Sequence, residues 1–331
     1  MNHAGRTKNR EQYRSLVEDI PAMFCSFDSR GFLSFANREF CSFFRQSPAK
    51  LSGSNILNFI PKDNHPQITR LFRTLLTGLP SVTAEIPVNA PDGFLRWHRW
   101  TVRRLATGAD ERKEFRAAGQ DITDSKLVQT ALEENIENME RVFNETVEVL
   151  ASVTEAKDPY IHGHQRRVAE LAGAIAAEMG YGKSFVRRVR QAALVHEIGN
   201  LVVPGEILNK PGKLSHLEFE LVKGHCEAGE QILMKINLSW PLHTIVRQHH
   251  ERMDGSGYPD GIRDGEILPE ARIIAVADMV EAMTSHRPYR PAFTINSVLG
   301  EINRLGGSSL DKNAVNACRS LFLEKNFTYI Q

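Results

Sequence analysis

Two adjacent histidines, His249 and His250, run into Glu251-Arg252-Met253-Asp254-Gly255-Ser256-Gly257-Tyr258-Pro259, and this stretch restricts the fold more than any other. Neighbouring residues of a helix point in different directions, so two adjacent imidazoles cannot meet one partner from one helical face. A site that uses both must lie where a helix ends or unwinds, and Gly255 and Gly257 supply that loosening. Glu251 and Asp254 set carboxylates in the same turn, a mixture suited to metal ligation. A core histidine beside a surface one would give the same pair, so other segments must decide.

Three do. His196-Glu197 close the apolar Ala192-Ala193-Leu194-Val195 helix, which should stop at Gly199. His225 reads as part of a helix in which Leu221, Val222 and Gly229 share a buried side. Asp278 interrupts Ile273-Ile274-Ala275-Val276-Ala277, the most apolar segment of the chain, where an unpaired carboxylate would carry a heavy desolvation cost. It needs a cation. Each residue alone could be a hydrogen-bonded core group, but six of them on apolar helices favour a metal cluster. Imidazoles and carboxylates without thiolate suit iron, manganese or zinc. Nine of the 12 histidines lie beyond residue 160, which agrees with a histidine-rich site in the carboxy-terminal half.

The motifs are His196-Glu197-Ile198-Gly199-Asn200, Ile207-Leu208-Asn209-Lys210-Pro211-Gly212, His225, the His249-to-Pro259 run, Ala271-Arg272-Ile273 with Asp278, and Arg287-Pro288-Tyr289-Arg290. In this order they resemble the HD-GYP family of cyclic dinucleotide phosphodiesterases, a branch of the HD hydrolase superfamily, over roughly residues 145 to 325. The resemblance implies two divalent cations, iron or manganese, held by His196, Glu197, His225, His249, His250 and Asp278, with Glu197 bridging and His164 at a family position beside them. It makes His196, Glu197 and Asp278 the catalytic residues. Arg287 and Arg290 would grip phosphate, Tyr258 would contact phosphate or stack near guanine, and Asn200 would lie at the substrate. The implied reaction is hydrolysis of cyclic di-GMP to linear pGpG and onward to GMP. The alternative is a catalytically weak or silent cyclic dinucleotide binder that signals through protein contacts.

Two departures bear on rate rather than fold. Glu197 stands where the family has aspartate, which extends the carboxylate by about 1.5 Å. Asn200 stands where the family usually has a phosphate-holding lysine, a contact of roughly 1.5 to 3 kcal/mol. Some relatives also carry a glutamate one turn before His164, associated with a third metal; Tyr160 occupies that place, so a binuclear centre is expected. His162, His216, His243 and His286 should face solvent or pack locally.

Residues 1–12 are a polar tail. Over 13–124 the chain suggests an α+β domain: strands at Met23-to-Asp28 and Gly31-to-Ala36, a helix from Asn37 that turns Phe40, Phe43 and Phe44 inward, and strands near Val82 to Val88, Phe94 to Leu105 and Glu114 to Asp121. This order, with the closing Asp121-Ile122-Thr123, resembles a PAS domain with a five-stranded antiparallel sheet, a sensor whose ligand the residues do not name. His65 suits a solvated turn better than a haem ligand, His98 is expected on an outward polar face with Arg96, Arg99, Arg103 and Arg104, and at most one of Trp97 and Trp100 should be core.

Residues 125–150 read as a connecting helix capped by Thr123 or Asp124. Leu132, Ile136, Met139, Phe143, Thr146, Leu150 and Val153 form a heptad seam, which predicts a homodimeric coiled coil through which the sensor would act on the second site. Residues 151–331 are expected to be all-α, making the protein multidomain.

Composition excludes other classes. Lys+Arg 41 against Asp+Glu 40 gives no general attraction to nucleic acid or anionic membrane. The four cysteines, Cys25, Cys41, Cys226 and Cys318, form no paired motif. With neither a secretory signal nor a long apolar run, a cytoplasmic location is expected.

Overall fold

The computed structural model describes residues 15–105, 114–157, 163–286 and 291–329. The chain divides into two compact units between Glu137 and Asn138, inside one long helix.

The first unit is a five-stranded antiparallel sheet in the order β2-β1-β5-β4-β3. Its strands are β1 Met23–Asp28, β2 Leu33–Ala36, β3 Ser81–Asn89, β4 Leu95–Arg104 and β5 Glu114–Asp121. Helices α1 Arg38–Phe44 and α2 His65–Thr77 connect β2 to β3, with shorter turns between them. The buried Asn37 explains where α1 starts. Its Oδ1 accepts from Phe40 N and Phe24 N, while its Nδ2 donates to the carbonyls of Val17 and Ala22, so one side chain caps the helix and ties it to β1. Phe40 and Phe44 then pack with Phe27, Phe115 and Trp100 against the sheet. A small apolar cavity of about 50 Å³ remains among Phe27, Phe40, Phe59, Leu75 and Trp100.

Strand parity corrects one expectation. Trp100 is buried and Trp97 only partly so, as expected, but alternation then turns His98 inward beside Trp100. His98 is 0 % exposed, with its ring 4.6 Å from that of Phe43, while Arg99 and Arg103 face outward. His65 is half-buried, its Nε2 3.0 Å from the carbonyls of Leu57 and Ile60, and it opens α2 rather than sitting in a solvated turn.

The connecting helix is longer than 125–150: α3 is continuous from Thr123 to Lys157. Thr123 lies within it, and Asp121 Oδ1 accepts from both its N–H and its hydroxyl. The heptad seam splits. Leu132, Ile136 and Met139 are 58 %, 50 % and 73 % exposed, whereas Phe143 and Leu150 pack on the core of the second unit beside the buried Val147 and Ala151. The lower half of the helix therefore serves its own domain.

The second unit is helical, with no strand among the described residues. After α3 come α4 His164–Glu178, α5 Lys183–Val195, α6 His216–Lys223, α7 His225–Leu233, α8 Leu242–Gln248, α9 Pro269–Thr284, α10 Ile295–Leu305 and α11 Lys312–Leu323. Helix α9 is buried over most of its length and packs Ile273, Ile274, Val276, Ala277 and Val280 at the centre. Gly224 separates α6 from α7, so His225 begins a helix rather than sitting inside one, and Leu221, expected to be buried, is 56 % exposed. His216 and His286 are exposed and His243 is half-buried near Glu230; His162 lies outside the described residues. No helix is long and apolar enough to cross a membrane among the described residues.

Candidate metal centre

Helix ends build the site. Helix α5 stops at Val195, which leaves His196 at its C-cap, and Glu197 then leads into a 3₁₀ turn, Ile198–Val202. Helix α8 stops at Gln248, which frees His249 and His250 to point differently, as adjacent imidazoles require. His225 opens α7, His164 opens α4, and Asp278 lies on buried α9. Gly199 allows the assembly: a Cβ there would lie 1.8 Å from the His225 carbonyl oxygen, so only glycine lets the Glu197 turn reach α7.

Two ligand groups result. Glu197, His225, His249 and His250 form one and His164, His196 and Asp278 the other, each with its ligand atoms within 4.8 Å of one another. The groups adjoin, with the rings of His196 and His249 5.1 Å apart. Glu197 faces both: its Oε1 is 3.9 Å from His196 Nε2 and its Oε2 is 3.5 Å from His225 Nε2. Asp278 Oδ1 lies 3.3 Å from His164 Nε2 and 3.9 Å from His196 Nε2.

The donor set fits cations. His196, His225 and His249 each donate Nδ1–H to the carbonyl three residues earlier, of Ala193, Val222 and Val246, at 2.7, 2.6 and 2.5 Å. That bond fixes the tautomer and leaves each Nε2 lone pair facing the centre. His196 Nε2 is buried with no hydrogen-bond partner among the described residues, and the Nε2 atoms of His225 and His249 stand 3.3 Å apart. A cation between lone pairs so placed would satisfy them. Burial, then the neighbouring imidazoles, keep His249 well below the ordinary histidine range, and burial holds His250 near 4, so both are neutral donors at pH 7. Burial would raise the carboxyls of Glu197 and Asp278, but the surrounding histidines outweigh it and hold both below the ordinary range. Both are anions.

His164 is held differently. Its Nδ1 bonds to the buried carboxylate of Glu281, which also accepts from Arg167 Nε at 2.7 Å and Ser285 Oγ at 2.7 Å. Burial disfavours the imidazolium, yet the hydrogen bonds it donates to Asp278 and Glu281 prevail and lift His164 to about 10, so a cation taken by His164 must displace its Nε2 proton, while Nδ1–H stays on Glu281. Glu281 was missed in the sequence, although its spacing of three from Asp278 on an apolar helix was a usable signal. Lys157 was missed as well. Its ammonium donates to the carbonyls of Asn200, Leu201 and Val203 at 3.0, 2.6 and 2.6 Å, gripping the turn behind Glu197.

The glycine turn supports the ligands without adding any. Glu251 is buried, and its Oε1 accepts from Asp260 N and Gly261 N, which folds the loop back on itself. Asp254 is exposed and accepts from Ser256. Tyr258 stacks on His250 with centroids 4.7 Å apart, at the edge of the site. Asn200 Nδ2 donates to Glu197 Oε2 at 2.6 Å. Arg287 and Arg290, the expected phosphate contacts, lie outside the described residues.

The chain is similar to several known proteins. Over 206 residues the chain is 39% identical to a cyclic di-GMP phosphodiesterase of Thermotoga maritima, covering 61% of this chain and 55% of that protein. It is 37% identical over 185 residues to the cyclic di-GMP phosphodiesterase response regulator RpfG of Xanthomonas campestris pv. campestris, covering 55% and 48%. A 3'3'-cGAMP-specific phosphodiesterase 3 of Vibrio cholerae is 40% identical over 156 residues, covering 46% and 33%. The chain thus spans about half or less of the length of each relative. The PAS fold matches residues 11–122, in agreement with the sheet of the first unit, and the HD domain matches residues 148–314, which contain every proposed ligand. The chain belongs to the HD domain family.

Proposed function

We propose that this protein is a metal-dependent phosphodiesterase that hydrolyses cyclic di-GMP, with the PAS unit as its sensor. The observation that carries the reading is Glu197, one carboxylate whose two oxygens face one histidine of each ligand group. The relatives' names support the substrate class, two being named for cyclic di-GMP and one for 3'3'-cGAMP.

Seven side chains would hold two divalent cations: Glu197 between the groups, His225, His249 and His250 on one side, His164, His196 and Asp278 on the other. The absence of thiolate and the family resemblance favour iron or manganese. When bound, such a pair supplies Lewis acidity and lowers the pKa of a coordinated water toward neutrality. In the reaction water provides the oxygen that joins phosphorus, one P–O3′ ester bond breaks, and the ribose 3′ oxygen leaves as a hydroxyl, giving linear pGpG and, after a second hydrolysis, GMP. Glu197 and Asp278 contribute fixed negative charge, and the lysine-anchored turn keeps Glu197 in place. Tyr258, packed on His250, offers its ring to a guanine, and Arg287 and Arg290 are the phosphate contacts of the proposal.

Regulation would pass through α3. Its exposed Leu132, Ile136 and Met139 would pair with a second copy, and light scattering at micromolar concentration tests this: a monomer ends the dimer proposal. The enzymatic test is anaerobic purification, metal counting, and chromatography of cyclic di-GMP and 3'3'-cGAMP after incubation with excess protein. Conversion of cyclic di-GMP to pGpG is expected. Both nucleotides intact in the presence of two bound metals per chain would overturn the proposal.

A further inference from the structure

We propose that Asn200 is a positioning residue for Glu197, and that the two form a matched pair setting where the shared carboxylate sits between the ligand groups. The inference rests on the two-cation reading of the site and concerns what aims its central ligand.

The local backbone makes the pairing. Asn200 N donates to the Glu197 carbonyl at 2.9 Å as the 3₁₀ turn begins, and side chains three apart eclipse in such a turn. The amide therefore stands over the carboxylate, with Nδ2 2.6 Å from Oε2, the oxygen that faces His225. The amide's orientation is dictated by the carboxylate, which demands the NH₂ end. Asn200 Oδ1 is left buried with no partner among the described residues, so the contact to Glu197 is kept at the expense of the other half of the amide.

Asn200 is itself held at the backbone. Its carbonyl accepts from Lys157 Nζ at 3.0 Å, and the preceding Gly199 packs directly on the His225 backbone. A short side chain on so fixed a backbone holds its donor in one place. Glutamate is the acid that reaches it. Shortening residue 197 by one methylene would withdraw the carboxylate by about 1.5 Å, from 2.6 Å to beyond hydrogen-bonding range. The length of Glu197 and the identity of Asn200 thus explain one another.

The test is a double-mutant cycle on the full chain, stripped of metal and titrated with manganese(II) alone, free manganese being read by electron paramagnetic resonance. N200A should weaken the weaker manganese site about 10- to 100-fold, the usual cost of removing a partner that orients a ligand. In the E197D background the same substitution should cost less than about threefold, because the contact is already gone. N200L keeps the approximate size but removes the donor without adding charge, and should reproduce the N200A loss if N200A proves unstable. Unchanged manganese affinity in N200A or N200L overturns the inference, as does an equal loss in both backgrounds, which would mean that Asn200 acts only through the fold. Wild-type protein that takes up no manganese overturns the two-cation reading and the inference together.

Discussion

The two units bury histidine in opposite ways. His98 in the sheet unit is fully enclosed with neither ring nitrogen hydrogen-bonded among the described residues, and burial pushes its pKa down to about 4. His196, His225 and His249 in the helical unit are just as enclosed, but each has one nitrogen tied to a backbone carbonyl and the other aimed at neighbouring ligands. Burial alone therefore does not mark a ligand. What distinguishes the site is that the protein fixes the tautomer of each ring and turns the remaining lone pairs toward one another.

The sharpest way to break this comparison is to remove an oriented ring. H249A should weaken manganese binding by more than about 100-fold, the upper end of the loss for a partner outside the ligand set; dialysis against a chelator followed by metal counting measures it. Retention of both metals would put His249 in the same class as His98. The reverse experiment concerns His98, whose Nε2 lies 3.9 Å from Asp121 Oδ2 without a hydrogen bond among the described residues. A histidine whose folded pKa is depressed costs nothing above its unfolded pKa near 6.5, but below it the unfolded chain takes up a proton that the folded one refuses. Stability should therefore fall as the pH drops from about 6.5 toward 4, by up to about 3 kcal/mol. H98L should abolish that part of the slope in urea melts at successive pH values; an unchanged slope would show that His98 is not its source.

The support beneath the site should register a smaller loss. K157M leaves three carbonyls without their charged donor and should lower the stability of the helical unit by about 1.5 to 3 kcal/mol in urea unfolding. Smallest is the effect of H98L at neutral pH, where replacing unpartnered nitrogens with carbon should be neutral or stabilising by about 1 kcal/mol.

These contrasts also explain what could be read from the chain alone. The strands followed their alternation, the helices their apolar periods, and the candidate ligands stood out because acids and imidazoles on apolar helices have few other uses. Asp278 in the middle of Ile273-to-Ala277 was the clearest case. His98 was misassigned because the arginines around it suggested a wet face, whereas its side is set by parity with Trp100. The seam on α3 misled in part, since a period near 3.5 serves a helix packed on its own domain as well as one paired with a copy, and Phe143 and Leu150 took the first course. Lys157 was missed because it acts on a turn far along the chain, Asn200 to Val203, which no local pattern announces; Glu281 had a signal in its spacing from Asp278, but its partner His164 lies on another helix. Arg287 and Arg290 lie outside the described residues.

The carbonyls that hold the three rings have a further effect. Ala193, Val222 and Val246 belong to the last turns of α5, α6 and α8, where a helix carries about half an elementary negative charge. Three such termini converge one imidazole away from the place proposed for the cations. Their field comes from peptide units, which do not titrate. As acid protonates Glu197 and Asp278, this share of the attraction for positive ions persists, built into the main chain.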